Sequence, residues 1–140
     1  MTTIDVVTSD QVDIDELIEL YDSVGWSAYT RDVDTLRRAL AGSSTLVIAR
    51  DGAVLIGLAR VVSDGATICY LQDVLVNPSH QGHGVGRALV QAALEPYAKV
   101  RQKVLLTDDE PAQRRFYESL GFSDAAVAAG GPLRAFVRLD

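Results

Sequence analysis

Strand, glycine-rich loop and helix follow one another without a break between Tyr70 and Glu95. The apolar run Tyr70 to Val76 leads into Asn77-Pro78-Ser79-His80-Gln81-Gly82-His83-Gly84-Val85-Gly86-Arg87, and an amphipathic run follows from Val85. A loop of this kind presents several backbone N–H groups at the positive end of a helix, an arrangement suited to a pyrophosphate. Glycine matters there because a side chain would hold a phosphate away from the backbone. No Lys-Ser or Lys-Thr follows the glycines, so the loop is not of the Walker type.

With 140 residues, 48 % of them hydrophobic, the chain is expected to fold as a single domain, 1–140, around a real core. Its net charge of -6 makes it a poor partner for nucleic acid. Cys69 is the one cysteine, so no disulfide forms within the chain, and its apolar strand context suits a buried, inert thiol. Two histidines and one cysteine leave little from which to build a metal site, and none is expected. Neither a signal peptide nor a run of about 20 apolar residues is visible, so no membrane association and a cytoplasmic location are expected.

Thr2 to Thr8 reads as a first strand. Asp13 caps a helix with Ile14, Leu17, Ile18 and Tyr21 at helical spacing, and Gly25 stops it. Asp32 caps a second helix carrying Val33, Leu36 and Leu40, ended by Gly42. Leu46–Ala49, Val54–Val62 and Thr67–Val76 form an antiparallel meander joined by turns at Asp51-Gly52 and Asp64-Gly65. The helix after the loop spans about Val85 to Glu95, ended by Pro96. Lys103–Thr107 is then a short buried strand lying parallel to the strand before the loop. Pro111 opens a last helix that carries Phe116 and Leu120 and stops at Gly121. Ala125–Pro132 reads as a flexible loop and Leu133–Leu139 as a terminal strand.

The spacing Gln81-x-x-Gly84-x-Gly86, with Val76 and Pro78 upstream, resembles the acetyl-coenzyme A signature of the Gcn5-related N-acetyltransferases. Arg115-Phe116-Tyr117-Glu118-Ser119-Leu120-Gly121-Phe122 resembles the carboxy-terminal motif of the same family, and Phe136-Val137-Arg138 its last strand. Val24-Gly25-Trp26, Ile48-Ala49-Arg50-Asp51-Gly52, Ile56-Gly57-Leu58-Ala59-Arg60, Ser63-Asp64-Gly65 and Gln72-Asp73-Val74 look like small bacterial members and like plant-type serotonin N-acetyltransferases, which acetylate arylalkylamines. The resemblance implies an α/β fold of the acyl-coenzyme A N-acyltransferase type: a mixed central sheet of about six or seven strands, flanked by helices, with two parallel strands splayed around the pantetheine arm. It implies acetyl-coenzyme A as co-substrate and direct transfer to a primary amine of a small molecule. Acetylation of a protein lysine or N-terminus, and a non-catalytic acyl-coenzyme A-binding module, are the alternatives. A two-fold pair of copies is the default assembly.

The site residues follow from these motifs. Gln81, Gly82, His83, Gly84, Val85 and Gly86 are expected to wrap the pyrophosphate, with Arg87 either adding charge or facing solvent. By resemblance, the backbone of Val74, Leu75 and Val76 meets the pantetheine arm and the thioester carbonyl. Asp73 interrupts an apolar strand, where an unpartnered carboxylate would be costly. It is the candidate for attracting the ammonium and accepting its proton, with a structural hydrogen bond as the alternative. Asp108, ending the neighbouring strand, is a second candidate, or else a helix cap. Tyr117 is the candidate general acid for the departing thiolate. Where the family often places an asparagine, Asp108-Asp109-Glu110-Pro111-Ala112-Gln113 has none. Gln113 or Arg114 is expected to substitute in contacting the cofactor, with Phe116 and Tyr117 as further cofactor contacts. Trp26 and Tyr29, in the loop after the first helix, are expected to border the acceptor site.

Overall fold

The computed structural model describes residues 1–128 and 130–140. Two compact units divide it, Met1–Leu106 and Thr107–Asp140. In the first, five strands form one mixed sheet in chain order: β1 (Thr2–Val7), β2 (Thr45–Asp51), β3 (Val54–Ser63), β4 (Ile68–Val76) and β5 (Gln102–Leu105). The first four are antiparallel to their neighbours, and β5 runs parallel to β4. The parallel pair follows from the helix between them, since a hairpin cannot join parallel strands.

Helix α1 (Ile14–Ser23) starts where the Asp13 carboxylate accepts the Asp15 N–H. A four-residue turn of helix, α2 (Ser27–Thr30), was not expected from the sequence; it fills the aromatic loop before α3 (Val33–Ala41), which Asp32 caps through the Thr35 N–H. Leu17, Leu20 and Tyr21 of α1 and Leu36 and Leu40 of α3 form one core with Leu46, Ile48, Leu58 and Leu75 of the sheet. Helix α4 (Val85–Leu94) covers the other face, burying Val85, Leu89, Val90 and Ala93. It lies close enough that a Cβ on Gly57 would come 2.8 Å from Leu89 Cδ1 and 3.2 Å from the Leu75 carbonyl oxygen. Gly57→Val is therefore expected to destabilise the fold by about 1–3 kcal/mol through overpacking, read as a lower urea midpoint at unchanged slope. An unchanged midpoint would mean that α4 can shift away freely.

One irregularity in β4 shapes everything near it. Arg60 stands opposite Asp73, but its neighbour Val61 stands opposite Leu71, so Gln72 is an extra residue in β4. Upstream of this bulge Cys69 and Leu71 share the face of Val61; downstream, Asp73 and Leu75 share the opposite face with Arg60 and Leu58. All four β4 side chains are buried. The strand turns over without surrendering its alternation. Cys69 is buried and unpaired, and burial pushes its thiol pKa up, in keeping with an inert group.

The second unit holds α5 (Pro111–Ser119) and a short turn of 3-10 helix at Ala125–Val127. Among the described residues the sheet has five strands, not six or seven, and the terminal strand expected over Leu133–Leu139 is absent. Leu133 donates its N–H to the Ala125 carbonyl, and Phe136 and Leu139 are 89 % and 90 % exposed. Period-two alternation describes a strand only where a sheet face is present to bury one side. The expected loop over Ala125–Pro132 includes residue 129, which lies outside the described residues.

Candidate active site

Strand β4 keeps its partner β3 along nearly its whole length, but its pairing with β5 stops at Leu71 opposite Leu105. From Gln72 to Val76 the β5-facing edge of β4 has no ladder partner among the described residues. The parallel strands thus part at the bulge, and five residues of backbone edge become available to an extended ligand. Val74, Leu75 and Val76 lie on this edge, with the Leu75 side chain turned into the core.

The glycine-rich loop begins where that edge ends. The Asn77 N–H donates to the Ile56 carbonyl at 2.7 Å, and its side-chain oxygen accepts from the Ser79 N–H. Gln81 Nε2 reaches back to the Val76 carbonyl at 3.0 Å, closing a turn that contains Pro78. Gly82 and Gly84 have φ of +82° and +81°, and a Cβ on either would meet open space. Glycine is required there by backbone conformation, not by crowding. Gly84 caps α4, whose first intrahelical bond is Ala88 N–H to the Gly84 carbonyl. Helix geometry therefore leaves the N–H groups of the first turn directed outward along the axis. Gln81, Gly82, His83 and Gly84 are exposed, Val85 is buried, Gly86 is half-buried and Arg87 is exposed. Exposed backbone donors, a ten-residue helix behind them and two left-handed glycines fit a pyrophosphate.

Asp73 sits at the other end of the parted edge, just past the bulge. It is 2 % exposed and its carboxylate is shared among three donors. Arg60 Nε donates to Oδ2 at 2.9 Å, Tyr21 Oη donates to Oδ2 at 2.9 Å, and Tyr29 Oη donates to Oδ1 at 2.8 Å. Arg60 is itself 7 % exposed. These are the structural hydrogen bonds that stood as the alternative expectation for Asp73, and the guanidinium beside it offsets the charge with which the carboxylate would attract an ammonium. Burial first, and then the Asp73 charge, raise the Tyr21 phenol pKa far above its ordinary value, so Tyr21 stays a donor.

Tyr29 completes this network at the surface. Its oxygen also accepts from Gln72 Nε2 at 3.3 Å, and its ring lies 4.9 Å from Tyr21 and 6.1 Å from Trp26. Tyr29 and Trp26 are half-buried. Burial raises the Tyr29 pKa, an effect which the Gln72 bond opposes and the Asp73 charge reinforces. Tyr21 and Arg60 were not anticipated as site residues. A signal existed: an arginine in one apolar strand and an aspartate in the next, on either side of the Asp64-Gly65 turn, should pair across a hairpin.

The remaining candidates belong to the second unit. Asp108 is exposed, and its carbonyl accepts the Glu110 N–H. The residue at the cap position of α5 is Glu110, without a side-chain bond, so the capping alternative for Asp108 is not realised. Gln113 is exposed; Arg114 pairs with Glu118 at 3.4 Å and with Asp124 at 3.7 Å. Tyr117 is half-buried between Phe116 and Phe122, both in edge-to-face contact, and burial raises its pKa. Among the described residues no group of three or more His, Cys, Asp or Glu is placed to hold a metal ion, and no helix is long and apolar enough to cross a membrane.

A mixed sheet whose parallel pair parts just before a glycine loop and helix N-terminus defines the N-acyltransferase fold. The chain belongs to the GNAT family of acetyltransferases: the model of the acetyltransferase (GNAT) domain matches residues 42–124. It is 30 % identical over 115 residues to the uncharacterized N-acetyltransferase ycf52 of Pyropia yezoensis, covering 79 % of this chain and 65 % of that one. It is 32 % identical over 124 residues to the histone acetyltransferase TAP1 of Glycine max, covering 79 % of this chain and 52 % of that protein. The chain thus spans between half and two thirds of these relatives' length. Among solved structures, the GNAT family acetyltransferase SP0256 of Streptococcus pneumoniae superposes with a TM-score of 0.85 at 28 % identity, over 100 % of this chain and 98 % of that one. The aminoglycoside N-acetyltransferase AAC(6')-Iy, solved with CoA, shares the fold at 17 % identity and a TM-score of 0.72, covering 100 % of this chain and 95 % of that one.

Proposed function

We propose that this chain moves an acetyl group from acetyl-coenzyme A to a primary amine of a small molecule by direct transfer in a ternary complex. The observation that carries the reading is the parted β4 edge, Gln72 to Val76, running into a glycine loop that opens α4. Acetyl-coenzyme A supplies an activated acyl group; the chain's residues supply position and protons. The first-turn N–H groups of α4 and the loop from Gln81 to Gly86, with Arg87, hold the phosphates. The backbone of Val74, Leu75 and Val76 aligns the pantetheine arm as a further strand would, and an N–H near Val74 or Leu75 polarises the carbonyl. A preorganised donor of that kind lowers a barrier by about 3 kcal/mol. Gln113, Arg114 and Phe116 are proposed as further cofactor contacts, and Asp108 remains a candidate for the amine proton. The reading extends to a single domain, 1–140, in a cytoplasmic protein that pairs as a homodimer.

Tyr117 holds the proton for the departing sulfur. A phenol is protonated at neutral pH, as a proton donor requires, and burial acts in the same direction. Tyr117→Phe is expected to lower kcat about 100-fold with coenzyme affinity within about twofold. Equal kcat would return Tyr117 to packing between Phe116 and Phe122.

The deciding experiment measures thiol release from acetyl-coenzyme A over a panel of arylalkylamines, polyamines, amino acids and peptides. The plant-type serotonin acetyltransferase resemblance favours the first of these. A second reading, acetylation of a protein lysine, has support in the Glycine max relative, whose name is histone acetyltransferase. A histone-tail peptide therefore belongs in the panel. Coenzyme binding without thiol release for any amine would leave a non-catalytic acyl-coenzyme A module.

A further inference from the structure

The geometry points to the Tyr29 phenol oxygen, held by Asp73 and Gln72, as the group that receives the acceptor nitrogen, and to a primary amine bearing a flat apolar group as the acceptor. The inference rests on the acetyl-transfer reading for its place in the reaction, but its geometry does not.

An ionised carboxylate can only accept, so the Tyr29 proton is committed to Asp73 Oδ1 at 2.8 Å. One lone pair of the phenol oxygen takes the Gln72 amide at 3.3 Å. What Tyr29 can offer a ligand is therefore the second lone pair, and only a hydrogen-bond donor can use it. An amine N–H fits this; an ether or carbonyl oxygen does not. Arg60 and Tyr21 both donate to the other carboxylate oxygen, Oδ2, which leaves Oδ1 to the Tyr29 proton and fixes the carboxylate in place. Asp73 is thus a positioning residue, acting through Tyr29.

Location supports the same role. Gln72 is the bulge residue at which β4 and β5 part, and Tyr29 is hydrogen-bonded to the side chains of Gln72 and Asp73, the first two residues of the parted edge. The amine nitrogen held there meets the thioester carbonyl aligned along that edge. The rings of Tyr21, Trp26 and Tyr29 form one tilted cluster with centroids 4.9 to 6.2 Å apart. Tyr29 and Trp26 are only half-buried, so part of each face remains for an apolar group attached to the amine.

The test uses 2-phenylethylamine and its N,N,N-trimethyl derivative, which keeps the ring and the charge but has no N–H. Binding to the full chain, saturated with coenzyme A, is measured by calorimetry. The wild type is expected to bind the primary amine about tenfold more tightly. In Tyr29→Phe this preference is expected to fall to about one with coenzyme affinity unchanged, while the melting temperature falls because the buried Asp73 carboxylate loses one donor. Retained coenzyme A affinity and retained binding of the trimethyl derivative in Tyr29→Phe rule out a general loss of the site. An undiminished preference in Tyr29→Phe overturns the role of Tyr29. Absence of binding of 2-phenylethylamine to the wild type overturns the proposed acceptor class. Because binding is measured without turnover, a chain that binds with the expected preference yet releases no thiol refutes acetyl transfer and leaves the Tyr29 inference standing.

Discussion

Urea unfolding of Arg60→Leu is expected to show a loss of about 3–5 kcal/mol relative to wild type. Arg60 is 7 % exposed and Asp73 2 % exposed, so removing the cation strands a carboxylate in the core. Asp73 must then take up a proton or draw water into the core shared by α1, α3 and the sheet, and either course costs stability. The Nη1 contacts of Arg60 to the Ala39 carbonyl and Ser43 Oγ, both 3.4 Å, are lost with it. Combining Arg60→Leu with Asp73→Asn should recover about 1–3 kcal/mol of the loss, because the amide carbonyl still accepts from the two tyrosines without carrying charge. A loss below about 1 kcal/mol in the single variant, typical of exposed pairs, would mean that water reaches this pair. Non-additivity is the informative quantity, since it separates the ion pair from the packing of its two side chains.

Calorimetry of Gly84→Glu with acetyl-coenzyme A is expected to show affinity weakened at least about 100-fold, equivalent to roughly 3 kcal/mol. Two effects act together. At φ of +81° a glutamate costs about 1–2 kcal/mol in backbone strain. A carboxylate at the cap of α4 also occupies the helix end proposed for the pyrophosphate and repels it. A Cβ there meets nothing within 4 Å, so steric clash in the free protein is not the cause. Gly84→Asn separates the two effects. Asparagine tolerates the left-handed region and is uncharged, so this variant should keep most of the affinity. Equal affinity in Gly84→Glu and wild type would move the phosphates away from this loop.

The order of elements in the first unit was readable because each relied on local chemistry. Asp13 and Asp32 cap the helices they were expected to cap, Asp51-Gly52 and Asp64-Gly65 turn the hairpins, and Gly84 ends the loop where α4 begins. The Gln72 bulge was not readable. Buried residues alternate at 69, 71, 73 and 75 as in an unbroken strand, and the extra residue shows only in the pairing with β3. Asp73 was recognised as unusual, but its partners lie 13, 44 and 52 residues away. A lone carboxylate in an apolar run states that a partner exists, not whether it is a substrate or a side chain. The terminal strand failed for the opposite reason. The alternation over 133–139 is real, but a pattern cannot supply the neighbouring strand.

The Arg60–Asp73 pair also limits how sequences of this kind can drift. An apolar pair of similar volume would fill the same space, and buried ion pairs are often replaceable in that way without loss. Yet every single substitution on the route leaves one charge stranded, and Tyr21 and Tyr29 would lose their acceptor when Asp73 goes. Four side chains from four segments are therefore inherited as a block. Drift at any one of them is closed unless another changes with it. A survey of variants selected only for folding should show Arg60 and Asp73 lost together or kept together, with Tyr21 tracking Asp73, while an exposed pair such as Arg114 and Glu118 changes independently.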